Sequence, residues 1–206
     1  MTTRPYMTER FIEESVKLFV QKGFKGTSIK DITDSVNLTR GAIYWHFKSK
    51  DELLKTIIKY YEKTYMDGLI KSVRSVNGDF LAKFRQYHKY STEFARQQRD
   101  LCLVFTLLSA ELAGSGVKAE VQINRVLAKY KAFLSELLAV GKHENALPED
   151  IDIPVMAEVI IGMHSGILLQ WYMLRNKSVD GRELARIFRD VIFYGILKNR
   201  NRKKGR

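Results

Sequence analysis

Apolar residues recur at every third and fourth position along almost the whole chain, and no segment alternates apolar with polar side chains well enough to outcompete a helix. Phe11, Ile12, Ser15, Val16, Leu18 and Phe19 set the pattern near the N-terminus, and Leu53, Leu54, Ile57, Ile58, Tyr61 and Tyr65 repeat it. A face repeating at that period can be buried only by another helix or by a sheet, and no sheet is on offer. The 206 residues, 45% of them hydrophobic, carry enough apolar surface for a sizeable core, and three prolines interrupt it rarely. The expected fold class is all-α, with about nine helices.

Helix start and stop signals divide the chain unevenly. Gly23 closes the first helix, and Thr27 and Ser28 offer capping oxygens ahead of a short second one carrying Ile29, Ile32 and Val36. Asn37 suits the left-handed turn that ends it, and Thr39 caps a third helix over about 40–46. Ser49 with Glu52 forms a capping box for a long fourth helix reaching toward Asn77. Longer helices follow: one marked by Phe80, Phe84, Tyr87 and Phe94, one through "LCLVFTLLSAEL", and one over about 118–140. Two more are expected over about 155–174 and 181–198. Residues 1–52 are expected to form one domain, 53–198 a second, and 199–206 a basic tail.

Two short helices joined at Asn37 and packed on a first helix have the layout of a helix-turn-helix. The residues sharpen this. "TSIKDITDSVNLTRGAIYWHFKSKDELL", Thr27 to Leu54, resembles the DNA-binding domain of the TetR/AcrR family of bacterial transcriptional regulators. It has a Thr opening the second helix, an Ile and a Val four apart (Ile32 and Val36) before the turn, a Gly in the third helix, then Tyr-x-His-Phe and a Lys ahead of an apolar pair. Asp34-Ser35 departs from the small alanine-like residues usual there.

The resemblance implies a DNA surface, and elementary chemistry distributes its roles. Gly41 and Ala42 are small enough to bring the third helix close to a groove, and Ile43 and Phe47, four apart, face inward. Arg40 is the candidate for a bidentate contact to a guanine edge, with Thr39 beside it. Tyr44, Trp45 and His46 turn outward to sugars and phosphates. Lys48 and Lys50 flank a helix N-terminus as phosphate ligands, and Thr27, Ser28 and Lys30 hold the flanking strand.

Past residue 80 the resemblance is fainter and implies a helical domain that dimerises and takes a small-molecule effector. Gly162 and Gly166, with Leu184, Phe188, Val191 and Gly195, are expected at the interface of a homodimer. Candidate effector contacts are Phe84, Tyr87, His88, Phe105, Leu108, Glu111, Tyr130, Phe133, Met163, His164 and Trp171, with Gln170 as a further polar marker. The apolar and aromatic bias favours a hydrophobic or aromatic small molecule. The function implied is a ligand-responsive regulator, a repressor, that holds a pseudo-palindromic DNA operator as a dimer. Ligand would favour a conformer in which the fourth helix swings and DNA is released. A ligand-independent DNA-binding regulator fits the same N-terminal residues, and ligand-dependent release separates the two.

Other classes lack residues to support them. His46, His88, His143 and His164 do not stand at metal-ligand spacing, and no phosphate loop, nucleophile elbow or Cys-x-x-Cys exists, so neither enzyme activity nor a cofactor nor a metal is expected. Cys102 among leucines reads as a small buried hydrophobe. No signal peptide is visible, and apolar stretches break short of the ~20 residues needed to span a bilayer, giving a cytoplasmic expectation with no membrane partner. Of the net charge of +12, the tail "KNRNRKKGR" supplies six basic residues and no acid, so half the excess belongs to a charged terminus.

Overall fold

The structure, a computed structural model of the chain, describes residues 4–173 and 181–196, and the basic tail lies outside them. Every regular element among the described residues is helical. In chain order they are α1 (Arg4–Lys22), α2 (Ile29–Ser35), α3 (Arg40–Tyr44), α4 (Lys50–Tyr61), a π-turn (Glu62–Met66), α5 (Asp67–Arg74), α6 (Phe80–Gln97), α7 (Arg99–Glu111), α8 (Lys118–His143), α9 (Ile153–Met173) and α10 (Gly181–Ile196). The fold class is all-α, with α4, the π-turn and α5 continuous.

The chain packs as two units. Of the described residues, the first holds 4–66 together with 98–127, and the second holds 67–97 with 128–173 and 181–196. In the first, Phe11, Phe19, Ile32, Ile43, Leu53 and Ile57 are all at most 1% exposed, so one apolar stripe from each of α1 to α4 meets in a common core. The local signals act as expected. Ser28 caps α2 in a capping box with Asp31, Thr39 caps α3 and Ser49 caps α4. Asn37 takes φ +57 in the turn, and the Leu38 amide donates to the Thr33 carbonyl at 2.9 Å.

Two helices differ from expectation. The third ends at Tyr44, because the His46 and Phe47 amides both donate to the Ile43 carbonyl at 2.9 Å and tighten the chain there. The fourth is broken by the π-turn, whose extra residue shifts the side-chain register and leaves both Tyr65 and Met66 buried.

The second unit joins α5, α6, the C-terminal part of α8, α9 and α10. Phe80 and Phe84 stack at 5.3 Å between ring centres, and Phe84 meets Phe193 of α10 at 5.1 Å. Helix α9 corrects one expectation: its 21 residues are long and apolar enough, by length and composition, to cross a membrane. Within this fold Glu158 of α9 pairs with Lys131 of α8 at 2.7 Å, and only Ala157 and Ile160 of the helix are fully buried. Val155, Val159, Gly162, Gly166 and Met173 remain exposed along it.

Candidate DNA-binding surface and effector cavity

The helix-turn-helix presents a sharply sorted surface. Ile43 and Phe47 are buried as expected, while Tyr44 is 52% and Trp45 81% exposed. Arg40 is exposed and makes no hydrogen bond or ion pair among the described residues. A Cβ added at Gly41 would meet nothing closer than the Thr39 hydroxyl at 3.7 Å, so nothing inside the chain demands glycine there. Ala42, Thr39 and Lys48 complete this face, and Thr39 spends its side-chain oxygen on the Ala42 amide.

Four of the residues expected at DNA have other work. Thr27 is 1% exposed, and its hydroxyl donates to the Gly23 carbonyl at 2.8 Å, so its side chain does not reach outward. His46 is half-buried, its Nδ1 is 2.9 Å from the Thr8 hydroxyl, and its ring lies 5.4 Å from that of Phe11. Lys50 donates from Nζ to the carbonyls of Phe24 and Thr27, both at 2.8 Å, and sits 4.2 Å over the Phe24 ring. It is a strut, not an available phosphate ligand. Ser28 is exposed, but its hydroxyl is engaged with Asp31. The Lys22 ammonium, and after it Ser28, hold the Asp31 carboxyl well below the usual carboxylate range. Lys30 is exposed and pairs with Asp34 at 2.5 Å, a contact that an exposed lysine can exchange for a phosphate.

Glu111 moves furthest from its expected role. Its two carboxylate oxygens accept from the Phe24 and Lys25 amides at 2.9 Å each, so it clamps the loop between α1 and α2 and does not face a ligand. Phe105 and Leu108, also expected at the effector, belong to the same unit. Phe105 stacks on Tyr61 at 4.0 Å with 9° between the rings, and Leu108 is 2% exposed. Cys102 is buried as expected, which pushes its thiol up to about 12.

The cavity suited to a small molecule lies in the second unit, between α6, α9 and α10. It measures about 300 Å³ and is lined by Thr92, Ala95 and Arg96 of α6, His164, Ile167, Leu168 and Trp171 of α9, and Gly181, Leu184, Ala185 and Phe188 of α10. His164 and Trp171 were expected there. Tyr87 and Tyr130 stand behind it: the Tyr87 and Tyr130 hydroxyls are 2.6 Å apart, and the Tyr130 hydroxyl is 3.1 Å from His164 Nδ1. Phe84 is instead a core residue 1% exposed, and Phe133 and Met163 are not among the cavity's walls. Leu184 and Phe188, expected at a dimer interface, face this cavity. Phe188 is 6% exposed, and its ring stacks on His164 at 5.9 Å. Ile187, Val191, Tyr194 and Gly195 of α10 are exposed, as are its charged Glu183, Arg186 and Arg189.

Sharing Thr92, Arg96 and Ala185 with the cavity, a larger groove of about 1020 Å³ opens between α6 and α10. Arg85, Lys89, Arg96, Arg186 and Arg189 line it against Glu93 and Asp190. Arg96 pairs with Glu93 at 2.6 Å and Arg189 with Asp190 at 2.8 Å, while Arg85 and Lys89 make no ion pair among the described residues. His88 borders the groove, and its Nε2 donates to the Ala185 carbonyl at 3.0 Å. Burial, opposed in part by that bond, pulls the His88 imidazole below its ordinary value. Sequence reasoning missed the basic side, although Arg85, Lys89, Thr92 and Arg96 repeat at the helical period that would have revealed it.

Comparison with known proteins agrees with both halves. The family model of the bacterial regulatory proteins, tetR family, matches residues 11–57, and that of the YsiA-like protein C-terminal region matches residues 62–193. The chain is 27% identical over 173 residues to the probable acrEF/envCD operon repressor of Escherichia coli strain K12, covering 80% of this chain and 76% of that one. The crystal structure of the MbdR regulator from Azoarcus sp. CIB superposes with a TM-score of 0.84 at 24% identity, covering 93% of this chain and 99% of that one. The crystal structure of AibR in complex with isovaleryl coenzyme A and operator DNA has a TM-score of 0.76 at 19% identity, covering 92% and 97%.

Proposed function

This chain belongs to the TetR family of bacterial regulatory proteins, as a ligand-responsive transcriptional regulator, and on that premise we propose how it works: as a homodimeric repressor on a two-fold-symmetric operator, released by an acyl thioester of coenzyme A. The observation that carries the DNA half is the exposed, unpartnered Arg40 at the start of α3, followed along the chain by Gly41 and the exposed rings of Tyr44 and Trp45. Arg40 reads a base edge, Tyr44 and Trp45 lie on the sugar-phosphate backbone, and Lys48 and Lys30 add phosphate contacts.

Dimerisation is supported by the apolar surface that α9 and α10 leave uncovered. Val155, Val159 and Met173 are 57%, 45% and 70% exposed, Ile187, Val191 and Tyr194 are 47%, 53% and 82% exposed, and Gly162, Gly166 and Gly195 have open space where a Cβ would stand. A second copy placed on this face by a two-fold axis buries the stripe and presents two recognition helices together.

The effector class is supported by an apolar cavity continuous with a cationic groove. An acyl chain fits the first and the phosphates of coenzyme A the second, and AibR, similar in fold, binds isovaleryl coenzyme A. Effector binding in the second unit draws the population toward a conformer whose recognition helices no longer match the half-sites.

Selection of bound sequences from a random DNA pool tests the operator reading. The expected product is an inverted repeat with half-site centres ~34–36 Å apart, and Arg40→Ala loses one conserved position at a cost of about 1–3 kcal/mol. A consensus without two-fold symmetry, or one untouched by Arg40→Ala, would overturn it. Release of that operator by acyl-coenzyme A, and not by coenzyme A alone, tests the effector.

A further inference from the structure

We infer that Arg85 and Lys89 hold the charged end of the effector, so that the second unit selects a phosphate carried well beyond the apolar group rather than a charge next to it. This rests on the effector reading of the cavity and its groove, and adds which cations do the holding and where they stand.

The ion pairs of the groove decide which cations are available. Arg96 grips Glu93 with two bonds, from its terminal nitrogen at 2.6 Å and from Nε at 3.2 Å. Arg189 lies 2.8 Å from Asp190, and Arg186 is 3.6 Å from both Glu183 and Asp190. Arg85 and Lys89, both exposed, line the same groove and make no ion pair among the described residues. Lys89 stands one turn from Glu93 and adds to the positive field that holds its carboxyl below the usual range, after Arg96 and Gln97. An anion entering the groove therefore meets Arg85 and Lys89 without first displacing a carboxylate, whereas Arg96, Arg186 and Arg189 each bring an acid with them.

Their position along α6 sets the distance. Thr92 and Arg96 border both the apolar cavity and the groove, so they mark where one passes into the other. Lys89 and Arg85 stand three and seven residues before Thr92, about 5 and 10 Å along the helix. A free fatty acid carries its carboxylate on the chain itself, which leaves it at the passage, facing Glu93 as well as Arg96. A pantetheine arm spans up to about 15 Å when extended, enough to leave the acyl chain in the cavity and bring a phosphate to Arg85 and Lys89. Distance and sign thus select against free acids and uncharged thioesters alike.

The test is titration calorimetry on the full-length protein with four octanoyl probes: octanoate, octanoylpantetheine, octanoyl-phosphopantetheine and octanoyl-coenzyme A. Octanoyl-coenzyme A is expected to bind about tenfold more tightly than octanoylpantetheine or octanoate at low salt, with the gap narrowing as salt rises. Octanoyl-phosphopantetheine, which keeps a phosphate and lacks the adenosine, should retain most of the gap. Arg85→Ala and Lys89→Ala should each weaken octanoyl-coenzyme A about three- to fivefold. Both should leave octanoylpantetheine at its native affinity, which also shows that the variants are folded.

Equal binding of octanoyl-coenzyme A and octanoylpantetheine, octanoate binding as tightly as octanoyl-coenzyme A, or a gap that survives the double substitution would overturn the assignment while leaving the cavity an effector site. Failure of all four probes to bind would remove the effector reading and the role of Arg85 and Lys89 together.

Discussion

Replacing Glu111 by alanine isolates the clamp between α7 and the loop that leads into α2. Glu111 is the last residue of α7, where a negative charge opposes the helix dipole, so its position has no local justification. Its stabilisation comes from the Phe24 and Lys25 amides, each 2.9 Å away. A hydrogen bond to a charged group nets about 1.5–3 kcal/mol. The Lys25 bond lies at the surface and the Phe24 bond is half-buried, so the lower end applies and the pair contributes about 2 kcal/mol. For a chain of this length that is a fall in melting midpoint of roughly 4–8 °C. Glu111→Gln retains one acceptor but turns an NH₂ toward the second amide, and should lose about half as much. Glu136, exposed and paired only with Arg74, is the matched control, and Glu136→Ala should cost no more than about 0.5 kcal/mol.

The assay is thermal unfolding in parallel with fluorescence anisotropy on operator DNA. Because the clamp fixes the loop from which α2 starts, Glu111→Ala should weaken operator binding as well as stability, whereas Glu136→Ala should change neither. A melting midpoint for Glu111→Ala within about 1 °C of the native protein would refute the assignment of a stabilising clamp.

The two lysines flanking Ser49 should separate by salt dependence. Lys48→Ala should lower the dependence of operator affinity on salt by about one unit of slope, while Lys50→Met should lower the melting midpoint and leave that slope unchanged; the reverse pattern would exchange their roles. His164 also predicts how stability varies with pH. Its imidazole binds a proton less readily folded, at about 4, than unfolded, at 6.5, so the folded chain is favoured above pH 6.5 and loses that advantage as pH falls toward 4. Melting curves across this window should lose part of their acid slope in His164→Phe. Ser15 is 0% exposed with an unpaired hydroxyl, so Ser15→Ala should raise stability by about 1 kcal/mol, read as a higher urea midpoint at unchanged slope.

The N-terminal unit was largely legible before any coordinates, because its signals are local. A capping serine, a left-handed asparagine and a three-four apolar rhythm act over a single turn of backbone, and Ser28, Asn37, Thr39, Ser49, Ile43 and Phe47 all stand where those signals put them. Gly23 closed α1 for the same reason, at φ +74. What the sequence could not separate was identity from orientation. Lys48 and Lys50 look alike as letters, yet one faces solvent and the other is drawn onto two carbonyls 23 and 26 residues away. Thr27 and His46 were absorbed in the same way by Gly23 and Thr8.

In the second unit the balance tips further toward tertiary structure. Leu184, Phe188 and Val191 share an apolar stripe, but a helix has more than one neighbour, and only packing shows that Phe188 turns to His164 while Val191 turns outward. Periodicity alone specified that these residues are helical and apolar. Which side of α10 closes the cavity and which is left uncovered, and which carboxylate secures the loop before α2, depended on partners distant in sequence. Hydrogen bonds and ring contacts are short-ranged, so pairing Tyr87 with Tyr130 and Tyr130 with His164, 43 and 34 residues apart, required the folded chain.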